Sequence, residues 1–293
     1  VTAAPLLTPA SPAPRPAGPS VPRPAVPAGT EPAATGPAET GFAATSPAAT
    51  GPAEYTVSLA ADEADVRAVQ RLRHQVFAQE LGATLHSPVP GLDIDGFDDF
   101  CDHLLVRERA TGTVVGTYRM LRPAAALRAG RLYSEGEFEL AALADLRPRM
   151  VEVGRSCVHP GHRDGAVIGL LWGGLLHYLQ ETGCDWIAGC CSLGLADGGG
   201  SAASVWDRVS DRNLSPEEFR VRPRTPWSPE GIARPSRGAL PALLRGYLRL
   251  GAWVCGEPAY DPDFGVADLF VLLSLERTDP RYLRHFMALG ASR

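Results

Sequence analysis

The chain has 293 residues, 45% of them hydrophobic, with 28 basic against 33 acidic side chains and a formal net charge of −5. That is enough apolar material for a sizeable core, while the acidic balance and the lack of a basic stripe interleaved with aromatics exclude a general nucleic-acid binder. Nowhere do about 18 apolar residues run unbroken, and the chain start lacks a secretory pattern, so a cytoplasmic protein is expected.

Residues 1–54 hold 13 of the 27 prolines and repeat the segment AATGPAE at 33–39 and 48–54. Too little apolar bulk recurs there to offset chain entropy, so the stretch reads as a disordered, partly polyproline-II spacer. The folded part is expected at 55–293. Every basic residue is arginine, which suits carboxylate and phosphate recognition locally. Cysteines 101, 157, 184, 190, 191 and 255 show neither Cys-x-x-Cys pairs nor histidines at zinc spacing, so reduced thiols and no metal are expected.

Tyr55–Ala60 alternates as a strand, and Asp62 with Asp65 forms a capping box for the helix that follows. Along that helix Val66, Val69, Val76 and Phe77 make an apolar stripe onto which Arg73 and Glu80 fall, either as an ion pair at the core rim or as a substrate-facing pair. The loop at 87–100 carries Asp93, Asp95, Asp98 and Asp99 but lacks the glutamate that closes an EF-hand; it reads as a solvated or cation-contacting loop. Strands follow at 102–109 and 113–121 around a turn at Ala110-Thr111-Gly112, the second ending at Arg119. After an irregular, partly helical stretch, a strand at 149–159 passes through Pro160-Gly161 into a helix at 164–182 and a strand at 184–193, a crossover unit that implies parallel or splayed neighbours. A helix near 202–212, an arginine-dense 220–224, a helix at 240–250 and an apolar strand at 266–275 complete the folded part.

On the strand at 149–159, strict alternation puts Val151, Val153, Arg155 and Cys157 on one face and Glu152, Gly154, Ser156 and Val158 on the other. Glu152 and Arg155 therefore start on opposite faces. Gly154 can mark a bulge that frees an amide to point at a ligand.

This strand-turn-helix, with Arg119 ending the preceding strand, resembles the GNAT acyltransferases. The helix Arg73…Val76-Phe77…Glu80, the loop Asp98-Asp99-Phe100-Cys101-Asp102 and Glu152-x-x-Arg155 resemble the branch that holds acyl-homoserine-lactone synthases and ornithine N-acyltransferases. The run from Leu240 through Phe270 is similar to the ornithine group, and the resemblance covers nearly everything after Tyr55. It implies an α/β fold with a mixed, largely antiparallel central sheet, a splayed strand pair and flanking helices. It also implies transfer of a (3-hydroxy)fatty acyl group from acyl carrier protein to the α-amine of ornithine, giving a lyso-ornithine lipid. The alternatives are another amino-acid acceptor, a homoserine-lactone signal, or a catalytically silent module that binds acyl carrier protein.

By this resemblance Glu152 is the base, an amide near Ser156 or Cys157 holds the oxyanion, and Arg155 completes the catalytic group. Arg73, Phe77, Glu80, Asp99, Asp102 and Arg119 fall to the acceptor, and Cys157, Val158, His159, Arg163 and Gly165 to the pantetheine and phosphate of the donor. Coenzyme A enzymes of the superfamily carry a glycine-rich pyrophosphate cradle where this chain has Arg163-Asp164-Gly165-Ala166-Val167, with an aspartate that repels phosphate. A carrier-protein thioester is thus favoured over coenzyme A, and no separate cofactor is implied. Arg208, Arg212, Arg220, Arg222 and Arg224 are candidates for the carrier's acidic surface, and Trp172 and the Trp253 region for a peripheral visit to the membrane.

Overall fold

The computed structural model describes residues 54–235 and 239–290; the spacer read for 1–54 lies, apart from Glu54, outside them. The first strand, β1, is Tyr55–Leu59. Asp62 then caps α1, Glu63–His74, by accepting from the Asp65 amide at 2.9 Å, while the Asp65 carboxylate returns to the Ala61 amide. One orphan donor of the first turn and the amide just before the cap are satisfied this way. At its far end α1 widens into a π turn over Gln75–Glu80, and wide turns of this kind often mark functional positions.

A hairpin of β2 (Asp102–Glu108) and β3 (Val114–Leu121) follows, then α2 (Pro123–Ala129) and the two-residue β4 (Phe138–Glu139). β5 (Met150–Val158), α3 (Ala166–Thr182) and β6 (Trp186–Gly194) form the expected crossover. Beyond it lie α4 (Gly200–Arg212), β7 (Arg222–Pro223), α5 (Ala242–Arg249), β8 (Trp253–Val254), β9 (Ala259–Asp261), β10 (Val266–Ser274) and α6 (Pro280–Gly290). The main sheet runs β1-β2-β3-β5-β6-β10-β8, with β9 also on β10. β5 and β6 are its parallel neighbours; the other adjacent pairs are antiparallel. The mixed, largely antiparallel sheet read from the resemblance is the one observed.

Helix α3 is apolar on almost every side because it is covered on both: Leu170, Leu171, Leu175 and Leu179 are buried against the sheet, and α6 lies over it. The opposite sheet face is covered by α1, whose Val69, Leu72 and Val76 meet Leu105, Val114 and Cys157. A third cluster under residues 121–150 joins Leu143 and Met150 to Ala188, Phe270 and Leu272.

Two irregularities in β5 shape everything that follows. Arg119 pairs with Gly154 and Thr117 with Cys157, so Tyr118 alone faces two residues, Arg155 and Ser156. This bulge puts Arg155 at φ 50°, a left-handed conformation that is uncommon outside glycine. Alternation is reset across it. Contrary to a regular strand, Arg155 shares the face of Glu152, both meeting Tyr133, and Cys157 turns to the α1 face. The second irregularity is that paired register with β6 stops at Glu152–Ala188. Gly189 allows this last approach, since a Cβ there would sit 2.2 Å from the Val153 carbonyl oxygen. Past that point the two strands part.

Candidate active site

Where β5 and β6 separate, a cavity of about 580 Å³ opens. Its apolar part is lined by Tyr118, Val153, Ile187, Leu243, Tyr247, Val271 and Leu273, and its polar part by Arg119, Ser134, Glu137, Glu152, Arg155, Asp261 and Asp268. Buried side chains from both faces of the sheet contribute, so the cavity passes through the split between the strands. One end suits an acyl chain and the other an amphoteric small molecule.

Glu152 stands at the junction. It is 5% exposed and accepts the Tyr133 amide at 2.6 Å and the Ser134 amide at 2.8 Å. Burial raises its pKa above the ordinary carboxylate range, and the hydrogen bonds from Ser134 and Tyr133 and the charge of Arg119 only partly oppose this. A carboxylate oxygen carries two lone pairs, so each oxygen can still accept from a ligand. A positioned, desolvated carboxylate of raised pKa is a competent general base.

Three arginines and three aspartates from distant parts of the chain form one network beside it. Arg73, fully buried, donates to Asp93 at 2.7 Å and Asp98 at 2.9 Å. Arg119 reaches Asp95 and Asp98, and Arg155 reaches Asp93 and Asp95. The charges alternate, so each buried ion is paired. Arg73 and Arg119 hold the Asp98 carboxyl down at about 2 despite its burial. Arg119 and Arg155 also lie over the ring of Tyr133, 5.3 and 5.1 Å from its centroid. The network thus fixes the Tyr133–Ser134 turn whose amides hold Glu152.

The residues read from sequence separate into three groups. Glu152, Arg155, Ser156, Phe77 and Arg119 line the cavity. Arg73 is a correction: sealed in the core, it braces the acidic loop and offers no face to an acceptor. Asp99 is exposed, and Asp102 accepts from Tyr178 of α3; neither is a lining residue, because the loop turns Asp93, Asp95 and Asp98 inward instead. Glu80 leaves the acceptor set too, its carboxylate clasping Arg163 at 2.6 and 2.8 Å.

The donor group makes up the β5–α3 turn, which satisfies itself. Arg163 is spent on Glu80 and on the Val158 carbonyl, His159 accepts the Gly161 amide, and Asp164 accepts the Ala166 amide at the start of α3. Gly165, at φ 106°, makes the turn into the helix. The protein's own carboxylate therefore occupies part of the anion site that a helix N-terminus provides. Val158 packs against the α3-side core, and Cys157 is buried on the α1 face, away from the cavity lining, where burial pushes its thiol up to about 12 and disfavours the thiolate. Of the surface arginines, Arg220 and Arg224 bind backbone carbonyls at Ser215 and Glu135, and Arg212 pairs with Asp211, whereas Arg208 and Arg222 are exposed. Trp172 is buried against Tyr247 and Phe286, so it is not a membrane contact; Trp253 stacks on Phe219.

Sequence reasoning missed an acidic trio in the polar part. Carboxylate oxygens of Glu137, Asp261 and Asp268 lie within 4.8 Å of one another. Burial and mutual repulsion raise Glu137 to about 8 and Asp268 to about 6. One oxygen of Glu137 is buried without a hydrogen-bond partner among the described residues, while Asp268 is held by Ser192 at 2.7 Å. Cys190 donates to Ser134, the residue that holds Glu152, and neighbours Glu137. A lone acid inside the apolar strand at 266–275 was the one legible sign of this trio.

Comparison with known proteins places this architecture. Residues 72–173 match the acetyltransferase (GNAT) domain model. The chain is 34% identical over 259 residues to an L-ornithine N(alpha)-acyltransferase of Brucella abortus (strain 2308), covering 79% of this chain and 88% of that one. It is 35% identical over 255 residues to the enzyme of the same name from Rhizobium meliloti (strain 1021), covering 80% and 85%. The chain belongs to the L-ornithine N(alpha)-acyltransferase family. In fold, the acyltransferase is similar to a coenzyme A-dependent acyl-homoserine lactone synthase, BjaI, solved with MTA, at TM-score 0.50 and 17% identity over 80% of this chain and 90% of that one. No described helix of the acyltransferase is long and apolar enough to cross a membrane.

Proposed function

We propose that the acyltransferase moves a fatty acyl group, of the 3-hydroxy class, from an acyl-carrier-protein thioester to the α-amine of ornithine, releasing a lyso-ornithine lipid. The observation that carries this reading is the cavity itself, apolar at one end and acidic at the other, with Glu152 between them. The names of the 34–35% identical relatives support ornithine as acceptor.

In this reading the acceptor's carboxylate meets the Arg119 and Arg155 side of the cavity, and its side-chain ammonium meets Glu137, Asp261 and Asp268. A cation there offsets the repulsion that, with burial, raises both Glu137 and Asp268. Glu152 takes one proton from the α-ammonium, and the freed lone pair attacks the thioester carbon. The oxyanion is held by a backbone amide of the β5 bulge. Collapse breaks the C–S bond, and the departing thiolate takes the nitrogen's second proton. A thiol of pKa about 8.5 needs little further acid assistance.

A carrier-protein donor is favoured over coenzyme A because the β5–α3 turn binds its own polar groups and sets Asp164 where a pyrophosphate would need free amides. The test is to offer purified protein matched 3-hydroxyacyl chains on carrier protein and on coenzyme A with labelled ornithine. A carrier-protein preference in acyl-ornithine formation is expected. Equal or better use of coenzyme A overturns the donor assignment.

A further inference from the structure

The apolar part of the cavity is interrupted by three hydroxyls. Tyr118 and Tyr247, 2% and 5% exposed, contact each other through their phenol oxygens, and the Ser156 hydroxyl is a hydrogen-bonding neighbour of Tyr118. All three line the cavity, among Val153, Ile187, Leu243, Val271 and Leu273. An acyl chain needs no polar groups in its wall, and burying them is costly unless they are used.

Hydrogen counting shows what the group lacks. Three hydroxyls carry three hydrogens, and joining their oxygens in a chain consumes two. The third is left for an acceptor in the cavity. Burial also pushes the Tyr118 phenol up to about 12 and raises Tyr247, so both remain neutral donors at any working pH.

The position of the group is set by the catalytic strand. Ser156 is one of the two residues of the β5 bulge, and Tyr118 is the residue of β3 that faces them. A thioester carbonyl bound at the bulge therefore has this hydroxyl chain beside the first carbons of its acyl group. Resting on the acyl-transfer reading above, we infer that Ser156, Tyr118 and Tyr247 read a hydroxyl on the third carbon of the acyl donor. The carbon that bears it lies two bonds past the carbonyl carbon, and the hydroxyl can both accept the spare hydrogen and donate back. An unsubstituted chain leaves that hydrogen unpaired, and a site built to bond a substrate hydroxyl rejects the analogue lacking it.

The test compares 3-hydroxyacyl and unsubstituted donors of equal chain length, using the full chain, its Tyr247→Phe variant and its Tyr118→Phe variant. Phenylalanine keeps the ring, which for Tyr247 packs tilted against Trp172 with centroids 4.8 Å apart. The readouts are the ratio of kcat/KM for the two donors and, without turnover, the ratio of calorimetric affinities for the two free acids. The unaltered protein is expected to favour the 3-hydroxy compound at least about tenfold in both ratios, and each variant, which breaks the hydroxyl chain and displaces its spare hydrogen, to lower both ratios by roughly threefold or more. If the unaltered protein shows no preference, or if the variants slow both donors equally as loss of an acid for the thiolate would, the inference is overturned. If no acyl-ornithine forms from any donor, the acyl-transfer reading fails, and the affinity ratio still decides this one.

Discussion

Glu137→Gln keeps the shape of a buried side chain and removes its charge. One carboxylate oxygen of Glu137 has no hydrogen-bond partner among the described residues, and its pKa of about 8 beside Asp268 at about 6 reflects burial and repulsion. Both folded-state values lie above the ordinary carboxylate range. The stability they confer is therefore fully present below about pH 4 and is lost as pH rises through 6 and then 8. Glu137→Gln should remove part of that loss, so its melting temperature should rise relative to the unaltered protein as pH goes from 5 to 8. Catalysis should move the other way. A hydrogen bond to a charged partner contributes about 1.5–3 kcal/mol, so kcat/KM for ornithine should fall about 10- to 150-fold. Norvaline, with the same carbon chain and no terminal ammonium, should be a poor substrate for the unaltered enzyme and should not suffer this loss. The assay is acyl-amide formation with each amino acid at pH 7.5. An unchanged ornithine-to-norvaline ratio in Glu137→Gln and in Asp268→Asn would refute the ammonium assignment.

Glu152→Gln should lower kcat by about 10²- to 10⁴-fold and abolish the acid limb of the pH–rate profile, which in the unaltered enzyme should lie above pH 4.5 because burial raises this carboxyl. The amide also leaves one of the two turn amides facing a donor, a cost of about 1–3 kcal/mol, so circular dichroism must accompany the kinetics. Arg73→Leu leaves the three inward aspartates to the two arginines Arg119 and Arg155, an uncompensated negative charge that should destabilise the fold by about 3–5 kcal/mol in urea denaturation; a loss below 1 kcal/mol would contradict its bracing role. Chelation with EDTA should leave the rate unchanged, whereas inactivation reversed by a divalent cation would make the acidic trio a metal site.

Local chemistry made parts of this molecule readable from sequence. The cap at Asp62, the turn at Pro160-Gly161 and the crossover through α3 all rest on near neighbours in the chain, whereas Glu152 was singled out by the family resemblance of its strand. What alternation could not reveal was the bulge, because it falls on Arg155 and Ser156, one residue past the glycine that usually signals one, and holds an arginine in a left-handed conformation. That single irregularity moves Arg155 and Cys157 to the opposite faces from those expected. The acidic loop was visible, but which of its aspartates turn inward depends on Arg73, Arg119 and Arg155 meeting across the fold. Glu137 sits just before the two-residue β4 and Asp261 ends the three-residue β9, stretches too short for any periodic signal, and α6 was not read at all.

The most direct measurement is the product itself: tandem mass spectrometry of the material made from 3-hydroxyacyl carrier protein and isotopically labelled ornithine. The account predicts one acyl group per ornithine, in amide linkage to the α-nitrogen, with the side-chain amine free. Acylation of the side-chain nitrogen, or no acyl-ornithine with any thioester donor, would contradict it.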